Sequence, residues 1–254
     1  MMHEVTKVLS IGATGSIGLL VVPELLERGV SVRALVRDEE RARRSLPGAV
    51  ELTVGDLATG YGLAAALVGV DAVVLTHGGD DRVVDYDGVR RVLEALGGRA
   101  PRIVLMTSMG VTRETTAWGG VMNWKRRAER LVRAYGAPYT IVRPGWFEYQ
   151  GPADNAVVFE QGDGTEVTNR RGVARSQIAK TLVAAIFSDE AVGKTCELFA
   201  AAGEPQGDFE ELFAGLRADR KDDLAGGGDN GVGLADEPAE VLADIERLRG
   251  GATG

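Results

Sequence analysis

The chain has 254 residues, 44% of them hydrophobic and 26% charged, and a formal net charge of −8. These values belong to a globular chain of one large or two small domains and exclude a disordered one. No apolar run reaches the roughly 18 residues that cross a bilayer, so neither a membrane span nor a membrane partner is expected.

Charge and cysteine usage narrow the classes further. Residues 201–254 hold 13 acidic and 5 basic residues, while residues 1–200 hold 24 of each. The body is neutral and the tail carries the excess, so no basic footprint for nucleic acid is expected. Cys196 is the only cysteine and the histidines are His3 and His77, so no disulfide and no metal centre is expected. Met1 to Ser10 reads as a strand with no basic leader or cleavage site, which predicts a cytoplasmic chain.

In chain order, strand-length apolar runs alternate with helix-length segments. Strands are predicted at Val5–Ile11, Ser31–Val36, Val50–Val54, Asp71–Leu75, Arg102–Thr107 and Tyr139–Arg143. Between them lie helices at Ile17–Arg28, Glu39–Ser45, Leu63–Val68, Val83–Leu96 and Trp118–Tyr135, the first stopped by Gly29. This alternation predicts an α/β fold, a doubly wound parallel sheet covered on both faces. After Pro144 the rhythm loosens. A short strand at Val157–Phe159, a helix at Ser176–Phe187, a strand at Thr195–Phe199 and a helix at Asp208–Leu216 form a small C-terminal elaboration from about residue 151. The expected organisation is a domain over 1–218, a flexible glycine-rich linker over 219–235 and a final helix and tail over 236–254, the helix covering Pro238–Arg249. The acidic tail is expected to be solvated.

The strongest motif is Gly12-Ala13-Thr14-Gly15-Ser16-Ile17-Gly18. It follows a predicted strand and opens a predicted helix. Gly12 and Gly15 permit a tight turn and close approach of an anion to the backbone, and Gly18 permits close packing of helix on sheet. The free amides of the helix N-terminus, including those of Ser16 and Ile17, then face a pyrophosphate. With Trp124-Lys125-Arg126-Arg127-Ala128-Glu129 and Tyr139-Thr140-Ile141-Val142-Arg143-Pro144-Gly145-Trp146, the sequence resembles the atypical short-chain dehydrogenase/reductases, in particular the NAD(P)H-binding, NmrA-like group. Gln177-Ile178-Ala179 and Lys194-Thr195-Cys196-Glu197-Leu198 extend the resemblance to about 200 residues. It implies a Rossmann-like fold and a nicotinamide cofactor.

The second predicted strand ends Leu35-Val36-Arg37, where an NAD site carries an acid. A guanidinium suits a 2′-phosphate, so Arg37 predicts NADP(H) over NAD(H), with Arg41 assisting, Arg33 a weaker candidate and Asp38 opposing. The resemblance puts Asp56 and Leu57 at the adenine, with helix capping the other role open to Asp56. It puts His77 and Gly78 along the adenosine ribose, His77 either as an acid or as a spacer. Pro144 and Gly145 either meet the carboxamide or form a strand-ending turn.

Reductases of this superfamily use Ser, Tyr and Lys, the last two four residues apart on one helix. Here Ser108 and Lys125 match, Lys125 being one of five lysines against 24 arginines, but Val121 stands where the tyrosine would be. Tyr149 could replace it, or Ser108, Thr112 or Thr115 could relay a proton through water. Trp146, Phe147 and Tyr149 are expected to wall an apolar pocket for the acceptor, while Trp118 and Trp124 are core or interface anchors. Cys196 is expected to be a small buried hydrophobe. Two functions follow from the resemblance: an NADP(H)-dependent oxidoreductase passing hydride to a small carbonyl or quinone-like acceptor, or a catalytically silent NADP(H)-sensing regulator of the NmrA type. The first needs only a small-molecule substrate; a homodimer or a protein partner is the further association the resemblance allows.

Overall fold

The computed structural model describes residues 4–79, 81–113, 120–166 and 171–252. Thr115, Trp118 and His3 lie outside them. The elements run β1 (Lys7–Ile11), α1 (Gly18–Glu27), β2 (Ser31–Val36), α2 (Glu39–Ser45), β3 (Glu51–Val54), α3 (Leu63–Ala66), β4 (Ala72–Leu75), α4 (Arg82–Asp85) and α5 (Asp87–Leu96). They continue with β5 (Arg102–Met106), α6 (Val121–Tyr135), β6 (Tyr139–Pro144), β7 (Trp146–Phe147), β8 (Ala156–Glu160) and β9 (Gly172–Val173). The last are α7 (Arg175–Phe187), β10 (Lys194–Ala201), α8 (Glu210–Ala214) and α9 (Ala239–Leu248).

Eight strands form one sheet in the order β3-β2-β1-β4-β5-β6-β10-β8, parallel except for β8 against β10. The order reverses between β1 and β4, and ligands of doubly wound sheets bind at the carboxyl end of such a reversal. Alternate residues of the strands feed two separate cores, as the period of two dictates. Val8, Val32, Val74 and Val104 face α1 and α7, whereas Leu9, Ile11, Leu75 and Leu105 face α3, α5 and α6. Burial on both faces explains why these strands read as unbroken apolar runs.

Two expectations are corrected, and one short strand pairing was not foreseen. The helix expected over Val83–Leu96 is two, broken at Tyr86, with Asp81 accepting from Val84 N at 2.8 Å to start the first. The two-residue strands β7 and β9 pair with each other and carry too little pattern to be read. The supposed linker at 219–235 is anchored to the body: Asp219, Leu224 and Asp229 are buried against α6 and β6, while Lys221, Asp222 and Asn230 between them are exposed. The cause is electrostatic. Arg133 on α6 binds Asp219 at 2.9 Å, Arg143 on β6 binds Asp229 at 2.8 Å, and Arg126 on α6 binds buried Glu237 at 2.9 Å. The acidic excess of the tail is therefore in part a set of counterions for arginines of the body.

Candidate active site at the glycine turn

At the end of β1 the chain turns through Gly12 at φ +91°, and Gly15 N donates to Gly12 O at 2.9 Å. A Cβ on Gly12 would stand 2.8 Å from the backbone of Thr76 and His77. One on Gly18 would stand 2.2 Å from Gly12 O and 2.6 Å from Ala13 Cα. The turn is thus pressed between α1 and the end of β4 and tolerates no side chain at either place. No side chain caps the first turn of α1.

Two cavities meet across this turn. The larger, about 710 Å³, is walled by Gly15, Ser16, Ile17, Met106, Ser108, Met109, Val121, Met122, Lys125, Gly145, Trp146 and Phe147. The smaller, about 580 Å³, is walled by Gly12, Thr14, Arg37, Asp38, Arg41, Asp56, Leu57 and Gly79. Gly15, Thr76, His77 and Gly78 line both, so together they make one cleft across the reversal point of the sheet.

In the smaller cavity Arg37 is exposed at the rim. Asp38 points its Oδ1 at Arg41 N, 2.9 Å away, as the N-cap of α2. The carboxylate expected to oppose a phosphate is therefore committed to the helix start. Asp56 lines the cavity and also accepts from Ala58 N at 2.9 Å, so it holds its own turn. Arg33 is corrected: its guanidinium binds Glu51 at 2.9 Å and the carbonyls of Ala66 and Val68 at 2.8 and 2.7 Å, a structural tie remote from the cavity walls.

In the larger cavity Ser108 donates to Met109 O at 3.1 Å. Lys125 Nζ sits 2.9 Å from Asp85 Oδ1. His77 Nδ1 is enclosed with no partner among the described residues. Burial, aided by the Lys125 charge, lowers the imidazole pKa to about 3, so it is neutral at ordinary pH. Pro144 O accepts from Met109 N and Gly145 N donates to Leu198 O, so both groups serve the sheet. Tyr149 is exposed, edge-on to Trp146 at 5.7 Å between centroids, and is not among the walls. Thr112 instead anchors a loop, its N and Oγ1 both 2.9 Å from Asp163. Cys196 is fully buried, which pushes its thiol pKa up. Trp124 packs against Tyr86, with Arg127 over its ring at 4.4 Å.

Sequence reasoning missed Asp85, which grips Lys125 from α4, and Glu129, which takes Thr107 Oγ1 at 2.7 Å and Arg143 Nε at 3.0 Å beneath the cavity. Burial raises the Glu129 carboxyl while Arg143 and Arg133 draw it down, and its pKa lies below the ordinary value. The visible signal was the run of arginines on α6 facing an acidic tail.

Fold and site together define a Rossmann-type dinucleotide-binding protein. A family model described as NAD(P)H-binding matches residues 12–189, and the chain belongs to that family, an atypical branch of short-chain dehydrogenase-like proteins. A sanguinarine reductase of Eschscholzia californica is 25% identical, the match covering 83% of this chain and 96% of that one. An uncharacterised chloroplastic protein of Arabidopsis thaliana is 29% identical, covering 83% and 75%. An anaerobillin reductase of Escherichia coli O157:H7 shares the fold with a TM-score of 0.65 at 22% identity, covering 79% and 100%. No helix among the described residues is long and apolar enough to cross a membrane. The site fits a nicotinamide dinucleotide: a Cβ on Gly15 would meet only Gly12 O, at 3.2 Å, leaving the cleft side of the turn open, and an orphaned imidazole nitrogen stands where the two cavities join.

Proposed function

We propose that this chain is a cytoplasmic NADPH-dependent oxidoreductase that reduces a small organic acceptor, a carbonyl compound or a quinone-like ring. The carrying observation is the single cleft: a polar, arginine-rimmed cavity joined through the glycine turn to one walled by Met106, Met109, Met122, Trp146 and Phe147. The reductase relative at 25% identity supports the same class.

When bound, the reduced coenzyme supplies hydride. The chain's own residues then divide the remaining work. The Gly12–Gly18 turn, with Thr14, Ser16 and Ile17, holds the pyrophosphate on main-chain amides. Arg37 and Arg41 take a 2′-phosphate, and Asp56 and Leu57 border the adenine. His77 and Gly78 flank the sugars, and Lys125 binds the ribose beside the nicotinamide. Pro144 and Gly145 back the ring, and Ser108 orients the acceptor oxygen. The methionines and aromatic rings exclude water and present a flat apolar face to the acceptor.

The test is loss of the reduced-nicotinamide absorbance across a panel of quinones, aldehydes and ketones. Turnover of one class, weakened by Ser108→Ala and Lys125→Met, is the expected result. One observation favours a second reading: Val121 stands on the cavity wall and has no proton to give. Tight NADPH binding with no turnover of any acceptor would establish the silent regulator instead.

A further inference from the structure

Lys125 and Asp85 come from α6 and α4, 40 residues apart, and their side chains are 13% and 2% exposed. The second carboxylate oxygen, Asp85 Oδ2, is enclosed and has no hydrogen-bond partner among the described residues. A carboxylate removed from water with a single partner is expensive, and the ammonium is what makes it tolerable. An ammonium has three donors, and one of them holds Asp85. The other two remain for the larger cavity, which Lys125 lines. His77, also on that wall, feels the Lys125 charge and is uncharged at ordinary pH. Val121, one turn before Lys125 on α6, offers the same cavity only methyl groups.

We propose that Asp85 is the positioning residue of this site and that Lys125, held by it, is the proton donor in place of the absent tyrosine. The inference rests on the reductase reading. The acceptor takes a hydride from the reduced coenzyme, which is oxidised, and the electron pair comes to rest on the acceptor oxygen. A Lys125 N–H bond breaks as an O–H bond forms there. The neutral amine then regains its proton from water.

The experiment uses Asp85→Asn, Lys125→Met and the double variant. With five lysines in the chain, isotope-labelled lysine gives few Nζ signals, and Lys125→Met assigns the relevant one. In Asp85→Asn the Lys125 Nζ proton signal, held in its 2.9 Å hydrogen bond to Asp85 in the parent chain, is expected to shift and to exchange faster with water as that charge-assisted bond is lost, with the other four lysine signals unmoved. The turnover number falls by roughly 10²-fold, the scale of a general acid, with the acceptor KM nearly unchanged. The double variant, which leaves no stranded charge, turns over no more slowly than Lys125→Met alone. Additive losses in the double variant, or an unmoved Lys125 Nζ signal in Asp85→Asn, would overturn the proposal. If no acceptor is ever turned over, the reductase reading fails, and the Nζ signal still decides whether Asp85 holds Lys125.

Discussion

Replacing Gly18 with alanine puts a methyl carbon 2.2 Å from Gly12 O, 2.6 Å from Ala13 Cα and 2.8 Å from Ala13 C. All three are backbone atoms, so no side chain can swing aside. Restoring ordinary contact needs the turn and α1 to part by roughly 1 Å, and such overpacking costs about 1–3 kcal/mol. In a domain of this size that lowers Tm by roughly 2–12 °C. The same displacement misaligns amides aimed at the pyrophosphate. Each charge-assisted hydrogen bond lost is worth about 1.5–3 kcal/mol, or roughly 10- to 150-fold in Kd. Gly15→Ala is the control. Its Cβ meets only Gly12 O, at 3.2 Å, and otherwise enters the open cleft. It is expected to leave Tm nearly unchanged and still weaken NADPH binding. Calorimetric titration with NADPH, paired with thermal denaturation of both variants, reads the two effects separately. Wild-type affinity in Gly15→Ala would refute the reasoning, because the coenzyme would then not be lying against this turn.

Three further outcomes follow from the same geometry. Arg37→Ala should weaken NADPH by roughly tenfold or more, the low end for one charge-assisted contact at an exposed rim, and leave NADH unaffected; equal losses by calorimetry would remove Arg37 as the 2′-phosphate ligand. Burial, against the pull of Arg143, raises the Glu197 carboxyl from 4.5 to about 7. Between those values the folded chain holds a proton the unfolded chain has released, so stability falls as pH rises through the window. Glu197→Gln should flatten that slope, worth at most about 3 kcal/mol, and an undiminished slope in urea denaturation would exclude Glu197 as its source. Asp229→Ala strips a two-pronged partner from buried Arg143, whose Nη1 and Nη2 lie 2.9 and 2.8 Å from it. Glu129 and Glu197 still hold Arg143, so the expected loss is about 1.5–3 kcal/mol, that of a hydrogen bond to a charged group, where a solvated tail residue would give a change within about 0.5 kcal/mol.

What could be read in advance was whatever rests on local pattern. The strand at Ser31–Val36 and the helix at Glu39–Ser45 have the limits expected for them, because apolar periodicity and the Asp38 cap are local facts. The glycine turn was legible for the same reason. Asp85 was not, since its value to Lys125 exists only once α4 and α6 are side by side. Nor was the role of 219–235. Glycines usually mean freedom, and no local signal shows that Asp219 and Asp229 are required by arginines on α6 and β6. Tyr149 was an inference from proximity in sequence, and the turn after β7 carries it outward, with Glu148 at φ +62°.

The counterions for α6 arrive late in the polypeptide. Arg126 is made 111 residues before Glu237, and Arg143 is made 86 residues before Asp229. A ribosome therefore releases β1 to β6 and the long helix well before the acids that partner their interior cations. Until those acids emerge, Arg133 and Arg143 have Glu129 but lack Asp219 and Asp229, and Arg126 lacks Glu237.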